Sequence, residues 1–273
     1  MPLISLVDQI THNIEQNLYT MVMLLDFKKA FDSVDHLILL NKLNHYGIRG
    51  QALNLIKNYL MNRRQQVVYN GVISQVQTIT TGVPQGSILG PLFFLVYIND
   101  LPKISPSTDF LIFADDTTSI ESNKNIETLF HTANDTVRKL DHWCSVNKIA
   151  LNKQKTKYLL YYPRKTPENK KKELQKKLNI KICGVQIEEV TSAKFLGVII
   201  DNSLTWKPHI ELLTTKISQV IGILYKTRYK INTKAALCIY DALISSHLSY
   251  CNIVWGNTYP TVLHRIHILQ KKH

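Results

Sequence analysis

Three aspartates give the first chemical suggestion. Asp26 ends the apolar run Met21-Val22-Met23-Leu24-Leu25, and Asp115 and Asp116 end a second run, Phe110-Leu111-Ile112-Phe113-Ala114. Continuous apolar runs of this length read as strands buried on both faces, so each would deliver a carboxylate to a strand exit. If the two strands lie side by side, Asp26 stands beside Asp115. Carboxylate oxygens with few nitrogen or sulfur donors around them suit magnesium or manganese rather than zinc. Two such ions can activate a hydroxyl and stabilise a pyrophosphate leaving group. Taken alone, an Asp-Asp pair after an apolar strand is more often a polar hairpin turn, so the remainder of the chain has to decide.

The elements that would position these carboxylates follow from the hydrophobic spacing. Asp32 or Ser33 can cap a helix carrying Leu37, Leu40 and Leu43 and closed by Gly47, and Leu53, Ile56 and Leu60 mark another helix. Gln65 to Thr81 favours β-branched or alternating residues around Asn70-Gly71, the pattern of a hairpin. Gly82-Val83-Pro84-Gln85-Gly86-Ser87 breaks the chain before an apolar helix that ends near Asn99 and Pro102. Thr117 to Ile120 can return antiparallel from the Asp115-Asp116 turn. Ile126, Leu129, Phe130, Ala133, Val137, Leu140 and Trp143 keep a helical period over about five turns. Strand-like runs follow at Tyr158 to Tyr162, Ile180 to Ile187 and Phe195 to Ile200. Beyond Trp206, Ile210, Leu213, Ile217, Val220 and Leu224 form one amphipathic helix and Ala236 to Ile244 another.

Composition narrows the partners. The chain has 273 residues, 45% hydrophobic and 19% charged, which excludes disordered and fibrous classes and allows a sizeable core without disulfides. Cys144, Cys183, Cys238 and Cys251 are too far apart for a zinc knuckle or a redox pair and read as thiols of a reducing compartment. Thirty-three Lys and Arg against twenty Asp and Glu leave a formal charge of +13, which favours a polyanion such as nucleic acid, although solubility alone would also explain it. Arg164 to Lys181 holds eight basic and two acidic residues, a net +6, and is expected to be an exposed loop or hairpin tip. The longest nearly apolar run, Ile88 to Ile98, is interrupted by Gly90 and Pro91 and is too short to span a bilayer. With no signal peptide visible, the expectation is a soluble intracellular protein without a membrane partner, in the nucleus or a cytoplasmic ribonucleoprotein.

Several motifs occur together and in order. Leu25-Asp26-Phe27-Lys28-Lys29-Ala30-Phe31-Asp32 precedes Gly82-Val83-Pro84-Gln85-Gly86-Ser87-Ile88-Leu89-Gly90-Pro91, and Phe113-Ala114-Asp115-Asp116 follows. Tyr46-Gly47-Ile48-Arg49-Gly50, Leu151-Asn152 with Lys155-Thr156-Lys157, and Phe195-Leu196-Gly197-Val198-Ile199-Ile200-Asp201 complete the set. From about Asp8 onward the chain resembles the reverse transcriptases of non-LTR (LINE-like, jockey/CR1-type) retrotransposons.

That resemblance implies an α+β fold. Residues 1–204 would form a polymerase palm with a ferredoxin-like antiparallel sheet, and residues 205–273 a small helical thumb. It implies RNA-directed DNA synthesis, in which two Mg2+ ions, or Mn2+, serve transfer of dNTPs to a primer 3′-hydroxyl on an RNA template, with a DNA primer or RNA/DNA hybrid as partner. Asp26 and Asp115 become the main metal ligands, with the Phe27 carbonyl as a further one and Asp116 in support. Phe31 resembles the gate that excludes a ribose 2′-hydroxyl, Gln85 and Gly86 approach the nucleotide, and Lys155, with Lys157 as rival, faces the pyrophosphate. Phe195, Leu196 and Gly197 resemble the hairpin that grips the primer end, while Lys216, Lys226, Arg228 and Lys230 would track phosphates. The plainer readings are core packing for Phe31, capping or surface charge for Asp32 and Asp35, and solvation for the lysines. One departure stands out: Met1 to Leu25 contains no Lys or Arg, whereas the family places triphosphate-binding cations ahead of the first catalytic strand. The fingers are therefore expected to be largely missing and the chain to be a piece of a mobile element. The alternatives are a catalytically inactive nucleic-acid-binding remnant and a different palm enzyme such as a nucleotide cyclase, which should lack the Pro-Gln-Gly loop and the thumb.

Overall fold

The computed structural model describes residues 1–177 and 179–271. Helix α1, Pro2–Glu15, leads through a left-handed Asn17 (φ 58°) into strand β1, Tyr19–Leu25, which is buried over almost its whole length. Strand β2, Phe27–Lys28, is followed by a tight 3-10 turn, Ala30–Ser33, and by helices α2, His36–His45, and α3, Gly50–Leu60. Asp35 caps α2: its carboxylate accepts the amides of Leu37 and Ile38, each at 3.0 Å. Asp32 and Ser33, the other candidate caps, lie in the preceding 3-10 turn with their own amides tied to the Lys29 carbonyl, so the capping position falls two residues later, at Asp35. The buried face of α2 is Leu39, Leu40 and Leu43, while Leu37, expected in that set, is 60% exposed.

The expected hairpin forms as two short ladders. Strands β3 (Arg64–Gln65), β4 (Val68–Tyr69), β5 (Val72–Ile73) and β6 (Gln77–Thr78) pair as β3 with β6 and β4 with β5, closed by Asn70 and Gly71 at φ 48° and 80°. Positive φ at both central residues is the twist-matched turn that an Asn-Gly pair supplies. Helix α4, Leu89–Ile98, then precedes strands β7, Asp109–Phe113, and β8, Asp116–Asn123. Helix α5, Ile126–Val146, strand β9, Ala150–Leu151, and strand β10, Lys157–Tyr161, follow. The basic segment expected as a loop contains helix α6, Glu168–Lys177, because its Lys, Glu, Leu and Gln residues are good helix formers; Leu178 lies outside the described residues. Strands β11 (Lys181–Ile182), β12 (Val185–Gln186) and β13 (Glu188–Glu189) lead to the hairpin β14 (Ser192–Phe195) and β15 (Val198–Asp201). The last helices are α7 (Lys207–Thr227), α8 (Thr233–Tyr240), α9 (Ser246–Ser249), α10 (Asn252–Trp255) and α11 (Pro260–Gln270), with a π-turn at Asp241–Ser245.

The main sheet has the order β13-β10-β1-β8-β7. Two departures from expectation matter here. The strand running into Asp115, β7, is a half-exposed edge strand and does not neighbour β1; its return strand β8 does, buried from Thr117 to Glu121. The sheet is also mixed, because β13 runs parallel to β10. The intervening α6 and β11–β12 return the chain in the same direction, as a parallel pairing requires.

Two compact units divide the chain: Asn13–Tyr158 with Tyr162–Glu189, and Met1–His12 with Leu159–Tyr161 and Val190–His273. In the first, α5 packs Leu129, Phe130, Ala133, Val137 and Leu140 toward β1 and β8. The buried Tyr97 hydroxyl accepts the Asp35 amide at 3.3 Å and donates to the Asn147 carbonyl at 2.6 Å, joining the start of α2 to the end of α5. In the second, Asp201 organises the entry to α7, accepting the amides of Thr205 at 2.9 Å and Trp206 at 2.8 Å. Helix α7 packs along β15 and α11, with Ile210, Leu213, Ile217 and Leu224 buried. Among the described residues no helix is long and apolar enough to cross a membrane.

Candidate active site

The β1–β8 ladder brings the aspartates to one end of the sheet. Its last pair is Leu25 with Thr117, so Asp26 follows β1 just as Asp116 precedes Thr117 on β8, and continuing the register sets these two across from each other. Facing residues on antiparallel neighbours have Cα atoms about 4.5–5.5 Å apart. Asp115 occupies the two-residue turn that closes Phe113 against Asp116. Ala114 in that turn holds φ 52°, a left-handed conformation costly for a residue with a Cβ and sustained by the pairing on both sides. Asp26 is half-buried, whereas Asp115 and Asp116 are exposed. Partial desolvation, then the charges of Asp115 and Asp26, raise the Asp116 carboxyl above the usual carboxylate range. The three groups therefore feel one another's field, and a cation between them would relieve the repulsion.

Main-chain bonds fix Asp26 independently of its charge. Its carbonyl accepts the Asn152 amide at 2.7 Å, and its own amide points to the Thr156 hydroxyl at 3.4 Å. The Thr156 hydroxyl donates to the Asn152 carbonyl at 2.9 Å, and Phe27 pairs with Leu151 across β2 and β9. The Leu151-Asn152 and Thr156 signature is thus the brace behind the first aspartate. Among the described residues no three His, Cys, Asp or Glu side chains are gathered as a metal cage. The donors in question are hard oxygens, the carboxylates of Asp26 and Asp115 and the carbonyl of Phe27, a set chemically suited to magnesium or manganese.

A groove of about 710 Å³ opens beside Asp26, lined also by Phe27, Lys29, Asp32, Asn152 and Lys155. Lys155 is exposed there, while Lys157 is engaged with Glu188 at 3.1 Å. Half-buried Phe31 packs on Phe94 with ring centroids 4.7 Å apart and lines a second cavity of about 460 Å³ with Pro84, Gln85, Gly86 and Ser87.

The Pro-Gln-Gly loop is seated on the chain that follows β2. The Gly82 amide donates to the Val34 carbonyl at 2.8 Å, Val83 to that of Phe31 at 2.9 Å, and His36 Nε2 meets the Gly82 carbonyl at 2.7 Å. Gly82 holds φ +88°, and a Cβ there would sit 2.9 Å from the Asp32 backbone, so both conformation and space demand glycine. Gln85 donates to Asp32 at 2.9 Å, which gives Asp32 a partner rather than the capping role expected of it.

Residues that the spacing did not single out also line this region. Lys29, Arg63 and Arg64 border a groove of about 860 Å³ together with Asp32, Gly82 and Gln85. The signal was present as Lys28-Lys29 after Asp26 and Arg63-Arg64 at the root of the hairpin, but surface cations carry no period that would reveal their convergence. Asp35, read as a cap or a surface charge, is the cap of α2 and is buried, with Lys148 in contact at 2.7 Å. Burial opposes ionisation of Asp35, yet Lys148 and the capped amides together hold its pKa below the usual range.

The remaining expected residues lie in the C-terminal unit. Phe195 is buried and pairs with Val198, while Leu196 and Gly197 form the turn at φ 45° and 86°. Tyr250 donates its hydroxyl to the Leu196 carbonyl at 2.7 Å. Lys216 and Arg228 are exposed on and just after α7.

The sequence profile of the family described as reverse transcriptase (RNA-dependent DNA polymerase) matches residues 1–200. The chain is 27% identical, over 97% of its length, to the probable RNA-directed DNA polymerase from transposon X-element of Drosophila melanogaster, of which it covers 29%. It is also 27% identical, over 94% of its length, to the RNA-directed DNA polymerase from mobile element jockey of the same fly, of which it covers 28%. A telomerase from Candida albicans, solved with a fragment of telomeric RNA, is similar over 98% of this chain and 50% of its own, with 13% identity and a TM-score of 0.48.

Proposed function

We propose, from the premise that the chain belongs to the reverse transcriptase (RNA-dependent DNA polymerase) family, that it is the palm and thumb portion of an RNA-directed DNA polymerase of a non-LTR retrotransposon. The reaction is attack of a primer 3′-oxygen on the α-phosphorus of a deoxynucleoside triphosphate, with pyrophosphate leaving and RNA as template. The observation that carries this reading is the β1–β8 register, which brings Asp26 to the end of the sheet where Asp115 and Asp116 turn. Asp26, Asp115 and the Phe27 carbonyl would hold two magnesium or manganese ions, which supply Lewis acidity at the attacking and leaving oxygens. Asp116 supports the pair through the shared field. Phe31, half-buried against Phe94, is rigid enough to exclude a 2′-hydroxyl, and Gln85 and Gly86 beside it shape the nucleotide cavity. Lys155, in the Asp26 groove, is the cation for the pyrophosphate, since Lys157 is held by Glu188. The palm would run to residue 204 and the thumb from 205, and synthesis would take place in the nucleus or in a cytoplasmic ribonucleoprotein.

Primer extension tests the reading. Purified chain with magnesium, dNTPs and a DNA primer on an RNA template should extend the primer, and Asp115→Asn should abolish extension while leaving the circular dichroism spectrum unchanged. Phe31→Val should admit ribonucleotides. A folded wild-type chain that binds the template-primer and adds no nucleotide under any divalent ion would instead identify a binding remnant.

A further inference from the structure

The end of helix α7 carries an arrangement that catalysis does not use. Tyr225, Arg228 and Tyr229 fall at helical spacing on one face, and the Arg228 guanidinium lies 4.2 Å from the Tyr225 ring centroid and 4.6 Å from that of Tyr229. Both rings face solvent: Tyr225 is 64% and Tyr229 86% exposed. Beneath them the backbone is well tied, with buried Leu224 as anchor, the Lys230 amide bonded to the Thr227 carbonyl at 2.8 Å and the Thr227 hydroxyl bonded to that of Ile223 at 2.8 Å. Lys226 and Lys230 flank the cluster, and among the described residues neither they nor Arg228 form an ion pair.

The cations alone would need no ligand, because a helix C-terminus attracts positive side chains. Its dipole gives no reason to expose two phenol rings. Arg228 pairs with both rings and yet buries neither, so two flat π-faces and a planar cation remain open beside free ammonium groups. That combination matches a base stacked on an aromatic or guanidinium plane with its phosphates on the neighbouring lysines.

We propose that Tyr225, Arg228 and Tyr229 form a stacking site for unpaired bases of single-stranded nucleic acid, with Lys226 and Lys230 holding the adjoining phosphates. The inference rests on the nucleic-acid polymerase reading and adds to it a site that takes bases rather than backbone. Every base has a π-face, so the site is indifferent to sequence and sensitive to the presence of bases.

Fluorescence anisotropy with the whole chain separates this from simple charge attraction. The probes are a labelled twelve-residue oligo(dT), an abasic oligomer of the same length and charge, and an RNA/DNA hybrid. Wild type should prefer oligo(dT) over the abasic strand by about tenfold or more, the scale of stacking one or two bases. Tyr225→Ala with Tyr229→Ala should erase that preference and leave abasic binding unchanged, and Arg228→Lys, which keeps the charge but loses the plane, should reduce it. Lys226→Gln with Lys230→Gln should weaken both single strands equally. Circular dichroism of each variant guards against loss of fold. Equal wild-type affinity for the two single strands, or a preference that survives the double tyrosine change, overturns the proposal even if hybrid binding persists. Absence of binding to all three probes would overturn the polymerase reading as well and would mark the cluster as a protein-facing surface.

Discussion

At the scale of single residues, the site depends on groups that are not themselves reactive. Thr156 is buried, and its hydroxyl links the Asn152 turn to the amide of Asp26. Thr156→Val keeps the shape and removes that link, so Asp26 should lose positional precision. Primer extension should fall about tenfold, with the midpoint of thermal unfolding changed by only a few degrees, the scale of one hydrogen bond. An equal loss on restoring the hydroxyl with Thr156→Ser would assign the effect to packing instead. Glu121, buried on β8, is a separate case. Desolvation raises its pKa from 4.5 to about 7, opposed by the hydroxyls of Thr108, Thr136 and Ser119 and reinforced by Asp109. A carboxyl whose folded pKa lies above its unfolded one binds its proton more tightly when folded. Its contribution is therefore fully present below pH 4.5 and is lost as pH rises toward 7. Glu121→Gln should stabilise the protein at pH 8, by up to about 3 kcal/mol, and have little effect at pH 4. Denaturant unfolding at the two pH values measures this, and equal effects at both would refute the assignment.

Among the elements, those with strong periods were legible and those defined by neighbours were not. The apolar period of α5, the Asn-Gly hairpin and the run of β1 were all readable, because burial on one face or both writes itself into spacing. The identity of the strand beside β1 was hidden. Apolar β7 looked like the buried strand, yet Thr117, Thr118 and Ser119 of β8 are the buried neighbours of β1, and hydroxyl residues there give no hydrophobic signal. The cap of α2 stayed open among Asp32, Ser33 and Asp35 for a related reason, since only the 3-10 turn at Ala30–Ser33 decides where the helix begins. Asp26, Asp115 and Asp116 could be singled out because a carboxylate at a strand end is visible locally. Lys29, Arg63 and Arg64 were missed because their proximity exists only after the hairpin folds over. The Pro-Gln-Gly loop yields the prediction at this scale. Gly82→Ala would place a methyl 2.9 Å from the Asp32 backbone at a φ of +88°, so loop and turn must separate. Destabilisation of about 1–3 kcal/mol is expected, together with impaired extension, because the loop carrying Gln85 moves with it. Gly86→Ala has open space around its Cβ and meets only the φ penalty, so it should cost less. The reverse ranking would show that crowding at Asp32 is not what fixes the loop.

For the whole molecule, charge makes a prediction that no single contact does. A formal +13 is spread over the chain, and Arg164 to Lys181 supplies a net +6 of it while folding in part into α6. Not all of the segment's cations are free. Lys171 contacts Glu168 at 2.5 Å and lies 5.5 Å from the Tyr162 ring centroid, and Arg164 approaches Glu15 at 3.9 Å. Lys165 and Lys170 are exposed. If the segment meets the phosphate backbone, binding should release counterions, so log affinity for poly(A) RNA should fall linearly with log salt concentration. Each phosphate contact contributes about 0.7 to that slope on a single strand. Lys165→Gln with Lys170→Gln should therefore flatten the slope by about 1.4 if both lysines touch phosphate, and by nothing if the segment is only a solvated face. The slope distinguishes these cases where affinity at one salt concentration cannot, because lowering the net charge weakens attraction to any polyanion without changing the number of ions released. A variant with lower affinity but an unchanged slope would leave the basic segment as a source of long-range attraction and place the phosphate contacts elsewhere on the chain.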